Sequence, residues 1–207
     1  VTCLFDSFQL KKTMIRSFKE NYVSRPSNLP IFVVPEGPVD LEIGCGVGLH
    51  PIKYAQQNPN RFLIAIEKTR NKYEKFQRRL EHHSQINNLH AVHADAVAWV
   101  THFLVPNSIS RCFILYPNPN PKNQARRWIR MPFMEKLLEV IKPGGEIIFR
   151  TNEKPYIDEV LFGAEHQWRL HILTNRIIPG NETPLTHFEK KYLMRNEVCY
   201  EARFQKP

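Results

Sequence analysis

Apolar and polar positions follow two periods along this chain. Short apolar runs stand at 39–43 (VDLEI), 61–67 (RFLIAIE), 89–94 (LHAVHA), 111–117 (RCFILYP) and 146–151 (EIIFRT). Runs of this length, bounded by turn residues, read as strands buried on both faces. Between them apolar residues recur at helical spacing. HPIKYAQQNP reads as a helix closed by Asn58 and Pro59. From Thr69 to Gln85 the spacing puts Tyr73, Phe76 and Leu80 on one face, with Arg70, Lys72, Lys75, Arg78 and Arg79 on the wet remainder. Val97 to Leu104 and residues 155–164 read as short helices, and Pro132 to Val140 as a helix with proline in its first turn. KPGG is a turn, and WRLHILT and EVCYEARF are two last strands around a polar, proline-containing excursion from Asn175 to Arg195. The βα alternation followed by a hairpin-like pair predicts an α/β fold: a mostly parallel seven-stranded sheet with helices on both faces, finished by an antiparallel element.

Composition narrows this picture. With 207 residues, 42% hydrophobic and 24% charged, the chain can bury a real core, which excludes a disordered or fibrous protein. Lys and Arg number 29 against 20 Asp and Glu, a formal charge of +9, which favours a polyanionic partner. The four cysteines, Cys3, Cys45, Cys112 and Cys199, are scattered and lack histidines at ligand spacing. We therefore expect no metal and a reduced, cytoplasmic protein. Residues 1–38 mix Lys11, Lys12, Arg16, Lys19 and Arg25 with a proline-rich run and read as a basic arm or lid before a domain over 39–207. The arm's charge order does not fit a secretory signal, and no run approaches a membrane span, so no membrane partner is expected.

The chemistry begins in LEIGCGVGLH, where Gly44, Gly46 and Gly48 join a strand to a helix. Glycines there permit tight turning and close approach of backbone to a ligand. Leu49 stands where a dinucleotide fingerprint needs a small residue, and no G-K-[ST] follows for a P-loop. Glu42, just before the first glycine, would repel a pyrophosphate and suits a cation. The E-x-G-x-G-x-G pattern resembles the cofactor loop of S-adenosylmethionine-dependent methyltransferases with the Rossmann-like fold. That resemblance implies S-adenosyl-L-methionine as cofactor, with Glu42 near its methionine end and the three glycines beneath it. It also implies Glu67 at the ribose hydroxyls and Asp95, between Ala94 and Ala96, at the adenine. Two plainer roles stay open: Glu67 as a solvated first-turn residue, and Asp95 as a helix N-cap.

The loop FILYPNPNPK follows the fourth strand at its carboxyl end, where open α/β sheets hold substrates. Together with RRWIRMPF, RTNEKPY and LTHFEKK, it resembles the tRNA (guanine-N7)-methyltransferase family, over most of the chain from residue 15 to the last strand. The family loop reads F-P-D-P-W-P-K. This chain keeps Pro117, Pro119, Pro121 and Lys122, but has Tyr116, Asn118 and Asn120 for Phe, Asp and Trp, and is about two residues shorter before Arg126 and Arg127. The family T-D is Thr151 and Asn152 here, and T-x-F-E is intact as Thr186, Phe188 and Glu189. A family glycine and histidine near the last strand give way to the neighbourhood of Met194 and Asn196. The resemblance implies catalytic roles for Asn118, Asn152 and Glu189, and a cofactor contact at Ala96 and Tyr116. It implies tRNA contacts at Lys122, Arg126, Arg127, Asn152, Thr186 and Glu189, joined by Arg16 and Arg25 from the arm.

The two amides matter because a carboxylate can accept from guanine N1–H and N2–H₂ together, whereas an amide offers one donor and one acceptor group. Three outcomes follow: the same reaction in a rearranged pocket, methylation of another base or nucleophile, or an inactive tRNA-binding homologue. The Asn-Pro-Asn-Pro stretch also faintly resembles the Asn/Asp-Pro-Pro-aromatic loop of amino methyltransferases. The glycine spacing and the lack of a catalytic His or Tyr arrangement argue against a dehydrogenase, and the lack of a G-x-S-x-G elbow or metal cluster against a hydrolase. Trp128 is open to base stacking or to packing, and His50, His90 and His93 read as polar surface or strand-end residues. Monomer and homodimer remain equally open.

Overall fold

Strands whose neighbours and covering helices leave no wet face should be largely apolar, and the central strands are, apart from a few buried charges such as Asp40, Glu42 and Arg150. The computed structural model describes residues 16–27, 29 and 32–207. Its strands are β1 (Val39–Ile43), β2 (Phe62–Glu67), β3 (Leu89–His93), β4 (Ile109–Leu115), β5 (Ile141–Thr151), β6 (His171–Ile178) and β7 (Cys199–Gln205). Its helices are α1 (Leu49–Gln57), α2 (Arg70–Glu81), α3 (Ala96–Phe103), α4 (Phe133–Val140), α5 (Lys154–His166) and α6 (His187–Met194). Every residue of β1 is buried, while edge strand β6 is mostly exposed.

The seven strands lie in the order β3-β2-β1-β4-β5-β7-β6. The first five are parallel, and β7 runs antiparallel to both β5 and β6. Ile43 pairs with Ile66 on one side and Ile114 on the other, and Leu115 pairs with Arg150, so the carboxyl ends of β1, β2, β4 and β5 share one edge. The connection order reverses between β1 and β4, the crevice where such sheets bind ligands.

The core has two layers. Trp99, Val100, Phe133, Leu137, Tyr156 and Val160 from α3, α4 and α5 fill one face. Ile52 and Phe76 from α1 and α2 fill the other, where Tyr54, Phe113 and Leu115 pack with Tyr116 and Leu185. The arm runs along the first of these faces. Phe18 meets the Phe133 ring at 5.9 Å, its amide donates to Glu135 Oε2 at 2.8 Å, and the Val23 carbonyl lies 2.8 Å from His102 Nε2. The part of the arm before Arg16, including Lys11, Lys12 and Cys3, lies outside the described residues.

Three local expectations change. KPGG lies within β5, not before it: Ile141 pairs with Ile109 and Glu146 with Arg111, so the extra residues form a bulge with Gly144 at φ 74°. Helix α2 stops at Glu81 instead of Gln85, where the His83 amide bonds back to Leu80 O at 2.8 Å. The excursion from Asn175 contains the end of β6 and all of α6, a polar helix whose one buried residue is Glu189.

Candidate active site

Gly44, Gly46 and Gly48 all have left-handed backbones, with φ of 78°, 61° and 82°. At Gly48 a Cβ would sit 2.0 Å from the ring of fully buried Phe76, so this glycine lets the loop close down on α2. At Gly44 and Gly46 a Cβ would meet nothing within 4 Å, which leaves open space above the loop where a ligand can lie against backbone.

The two glutamates beside the loop are buried and converge. Glu67 Oε2 accepts the Gly46 amide at 2.9 Å and Oε1 accepts the Thr69 amide at 2.7 Å. That locks the carboxylate to the glycine loop while each oxygen keeps a lone pair for a hydroxyl. It is 5% exposed, which removes the reading of Glu67 as a solvated helix residue. Glu42 Oε2 lies 2.7 Å from His50 Nδ1, and both side chains are buried. His50, expected at the surface or a strand end, is instead held on α1 between Glu42 and the Phe113 ring, 4.9 Å away. The Cys45 thiol registers the convergence: burial, then the charges of Glu42 and Glu67, push its pKa well up.

Asp95 is the N-cap of α3. Its Oδ1 accepts from Val97 and Ala98 amides at 2.9 and 3.3 Å, and Oδ2 pairs with Lys68 at 2.8 Å. Burial works to raise its pKa, but Lys68 and the helix amides outweigh it and hold the carboxyl below its ordinary value. Ala96 is the first residue of that helix. The side chain of Asp95 is 41% exposed, so the capping role leaves it accessible from the strand-end edge.

After β4 the chain turns through Tyr116, a non-glycine residue at φ 51°. Its amide donates to Arg150 O at 2.8 Å, and its ring lies 5.6 Å from Tyr192 of α6. Such backbones occur where surroundings over-determine them. Asn118 is exposed and forms an Asx turn: Oδ1 accepts the Asn120 amide at 2.9 Å. Asn120, at φ 44°, returns a bond from Nδ2 to Asn118 O at 2.9 Å. Asn152, just past β5, donates from Nδ2 to Glu197 Oε2 at 3.1 Å.

Thr186 caps α6 by accepting the Glu189 amide at 3.1 Å. Glu189 does not complete a capping box. Its side chain is fully buried, Oε1 accepts from Arg150 Nη1 at 2.7 Å, and Oε2 has no hydrogen-bond partner. The Tyr116 hydroxyl is the other buried side-chain atom without one among the described residues. Burial raises the Glu189 pKa against the pull of Arg150, and burial, then the adjoining Cys199 side chain and the Glu189 charge, raise that of Tyr116.

Sequence reasoning missed the network beneath Glu189. Arg150 Nε donates to Glu201 at 2.6 Å and Nη2 to Glu182 at 2.9 Å. Arg176 also bonds both carboxylates, at 3.0 and 2.6 Å, and Arg203 bonds Glu201 at 3.1 Å. No periodicity in the sequence marks it: Arg150 follows the unbroken apolar run Ile147 to Phe149, and only the antiparallel pairing of β5 with β7 sets it opposite Glu201.

The basic residues divide. Lys122, Arg126 and Arg16 are exposed. Arg127, expected at RNA, is only 7% exposed: its Nε donates to Pro119 O at 2.6 Å, Nη1 pairs with Glu159, and it lies over the Tyr156 ring at 4.9 Å. Its charge is spent on anchoring the proline loop to α5. Arg25 stacks on Phe103 at 5.4 Å, at the opposite end of α3 from Asp95, so it does not join the strand-end cluster. Trp128 packs against Phe133 at 5.7 Å and its indole face belongs to the core margin. Among the described residues no group of three His, Cys, Asp or Glu could hold a metal, and no helix is long and apolar enough to cross a membrane. Cys45, Cys112 and Cys199 are free and buried.

Residues 36–202 match the family described as "Putative methyltransferase". A tRNA (guanine-N(7)-)-methyltransferase of Myxococcus xanthus is 30% identical over 83% of this chain and 84% of its own length. This chain belongs to the tRNA (guanine-N7)-methyltransferase family. A family relative from Nitrosospira multiformis is 28% identical over 94% of this chain and 86% of its own length. For the relative from Chlamydia abortus, 29% identical over 71% of this chain, the match spans 62% of that protein. Among solved structures, the 16S rRNA methyltransferase KamB superposes with a TM-score of 0.63 at 19% identity, covering 83% of this chain and 89% of that one. An S-adenosylmethionine-dependent methyltransferase from Aquifex aeolicus gives 0.57 at 14% identity, covering 84% and 85%. The fold of this family member is thus the Rossmann-like methyltransferase fold.

Proposed function

We propose that this chain transfers the methyl group of S-adenosylmethionine to N7 of a guanine in tRNA. The observation that carries the reading is the meeting, at the one edge where the sheet order reverses, of the open glycine loop, Glu67 tied to that loop, and Tyr116 tied by its amide to Arg150 O at the end of β5. The open space above Gly44 and Gly46, lined by carboxylates rather than cations, fits a positively charged, hydroxyl-bearing cofactor. Glu67 would take the ribose hydroxyls with its remaining lone pairs, Glu42 braced by His50 would face the charged methionine end, and Asp95 with Ala96 would border the adenine. When bound, the cofactor supplies an electrophilic methyl group on a sulfonium.

Guanine N7 already presents a lone pair, so the protein's task is alignment and exclusion of water, not proton removal. Tyr116 and the Asx-turned proline loop set the wall against which the base would lie. Glu189 Oε2 is a carboxylate oxygen with free lone pairs beside the Tyr116 hydroxyl. Being fully buried, it would hold Tyr116 and the pocket wall in place without touching the base, and the accessible carboxylate that would meet guanine N–H groups in place of the aspartates replaced by Asn118 and Asn152 is Glu197. Asn152 holds Glu197 at the same strand end, a second carboxylate within the neighbourhood. Exposed Lys122, Arg126 and Arg16 would contact phosphates, with tRNA as partner.

The test is a calorimetric titration with S-adenosylmethionine and S-adenosylhomocysteine, followed by incubation with unmodified tRNA and nucleoside analysis by mass spectrometry. We expect both ligands to bind, 7-methylguanosine to form, and Glu67→Gln to weaken cofactor binding by about tenfold or more, since a charge-assisted pair contributes roughly 1.5–3 kcal/mol. Cofactor binding with N6-methyladenosine as product, or with no product, would refute the assignment of the substrate atom.

A further inference from the structure

The basic stripe of α2 has no part in the site described above. On this helix Lys72, Lys75 and Arg79 lie at i, i+3 and i+7, which places three cations on one face. The other wet face alternates Arg70, Glu74, Arg78 and Glu81, and there Arg70 pairs with Glu74 at 2.9 Å. The all-cation stripe is the one that meets α6. Arg79 Nη1 donates to His187 Nε2 at 2.8 Å, and Lys72 Nζ stands 5.9 Å from the Phe188 ring. Because an arginine only donates, this geometry holds His187 as the neutral imidazole.

Around His187 the cations come from three helices: Lys53 of α1, Arg79 of α2, and Lys190 and Lys191 of α6. Burial, then these four charges, lowers the histidine's pKa. Among the described residues none of Lys53, Lys72, Lys75, Arg79, Lys190 and Lys191 has a carboxylate within 4.0 Å, although the molecule pairs many of its other basic side chains. The one acid of α6, Glu189, points inward to Arg150. Lys72 to Arg79 spans about 10 Å of helix at about 1.5 Å per residue. Like charges gathered from three elements without counter-charges are what a polyanion neutralises.

We propose that the α1–α2–α6 ridge is a second RNA-contacting surface, taking backbone phosphates of the substrate tRNA while Phe188, 46% exposed, offers a ring for stacking. This rests on the tRNA reading of the adjoining site. It differs from the expected contacts at Lys122, Arg126 and Arg16, which follow the proline loop and the arm. Helix α6 links the two: Thr186 and Glu189 on its first turn belong to the site, and Lys190 and Lys191 to the ridge.

The experiment compares two doubly substituted proteins that lose the same charge from the same helix, K72A/R79A and R70A/R78A, with the wild type. Equilibrium binding of unmodified tRNA is measured from 50 to 300 mM salt, beside methyl transfer at saturating and limiting tRNA and binding of phosphatidylserine vesicles. Removing a side chain that binds one phosphate lowers the salt slope by about 1. The slope should therefore fall by about 2 in K72A/R79A and by less than 1 in R70A/R78A. In K72A/R79A the KM for tRNA should rise about tenfold or more with kcat unchanged. Equal slopes for the two variants, or no change in either, overturn the ridge while leaving the methyltransferase reading intact if the wild type still forms 7-methylguanosine. A wild type that binds tRNA through the ridge yet forms no methylated guanine overturns the reading of the site instead. Vesicle binding that responds to K72A/R79A while tRNA binding does not would assign the ridge to a membrane surface and refute the proposal.

Discussion

Replacing Arg150 by methionine isolates the energetics beneath the site. Arg150 is 3% exposed and serves three carboxylates, of which Glu201 keeps Arg176 and Arg203, and Glu182 keeps Arg176, when it is removed. Glu189, fully buried, is left without its ion pair. Breaking a buried pair from one side is expected to cost about 3–5 kcal/mol. With the other two carboxylates still paired, the lower end applies, and about 3 kcal/mol lowers Tm by about 6–12 °C in a domain of this size. The double variant R150M/E189Q removes the orphaned charge and should recover about 1–3 kcal/mol relative to the sum of the single changes. In R150M the buried carboxyl of Glu189 has a folded pKa above its unfolded value of about 4.3. The folded state then binds the extra proton, so stability rises as pH falls from 7 towards 5 and is lost as pH rises through the folded pKa. Histidines that titrate in the same window affect both variants alike, so the R150M profile is read against R150M/E189Q. Thermal melts of the four proteins at pH 5, 6 and 7 test this. Single changes that add within about 0.5 kcal/mol, with parallel pH profiles, would refute the placement of Glu189's charge on Arg150.

Other outcomes follow from the same geometry. Gly48→Ala should lose about 2–5 kcal/mol, combining left-handed strain with overpacking against Phe76, whereas Gly46→Ala, strained but unobstructed, should fold and show its loss mainly in cofactor titrations. Arg127→Ala should destabilise strongly in denaturant melts without changing the salt slope of tRNA binding, and Arg126→Ala should do the opposite, lowering that slope by about 1. Asp95 has a depressed pKa, so its capping stabilises α3 above the unfolded pKa of about 3.9 and fades as pH falls through the folded value. Asp95→Ala should cost about 0.5–2 kcal/mol at pH 7 and flatten the acid limb of the stability profile.

The sheet was legible because burial of both faces forces continuous apolar runs, and each of the five parallel strands lies under one. The glycine loop was legible because left-handed backbone demands glycine, so Gly44, Gly46 and Gly48 mark a turn whatever lies around them. Helix α6 was not legible: seven of its eight residues are not buried, leaving little apolar period to read, although the Thr186 cap was in view. Arg127 and Arg126 are neighbours of identical chemistry, and only tertiary packing against Glu159 and Tyr156 sends one inward. His50 was hidden for a related reason. A lone histidine on a helix announces nothing until its position facing Glu42 is known.

The network in which buried Arg150, Glu189 and Glu201 meet the more exposed Arg176, Arg203 and Glu182 balances its own charge, so the chain's formal excess of +9 resides elsewhere. Ion pairs out of water are screened weakly, whereas contacts between surface cations and phosphates weaken steeply with added electrolyte. Ionic strength therefore acts on this molecule as a selective reagent: a concentrated salt wash should strip adherent nucleic acid from the recombinant protein while the domain stays folded.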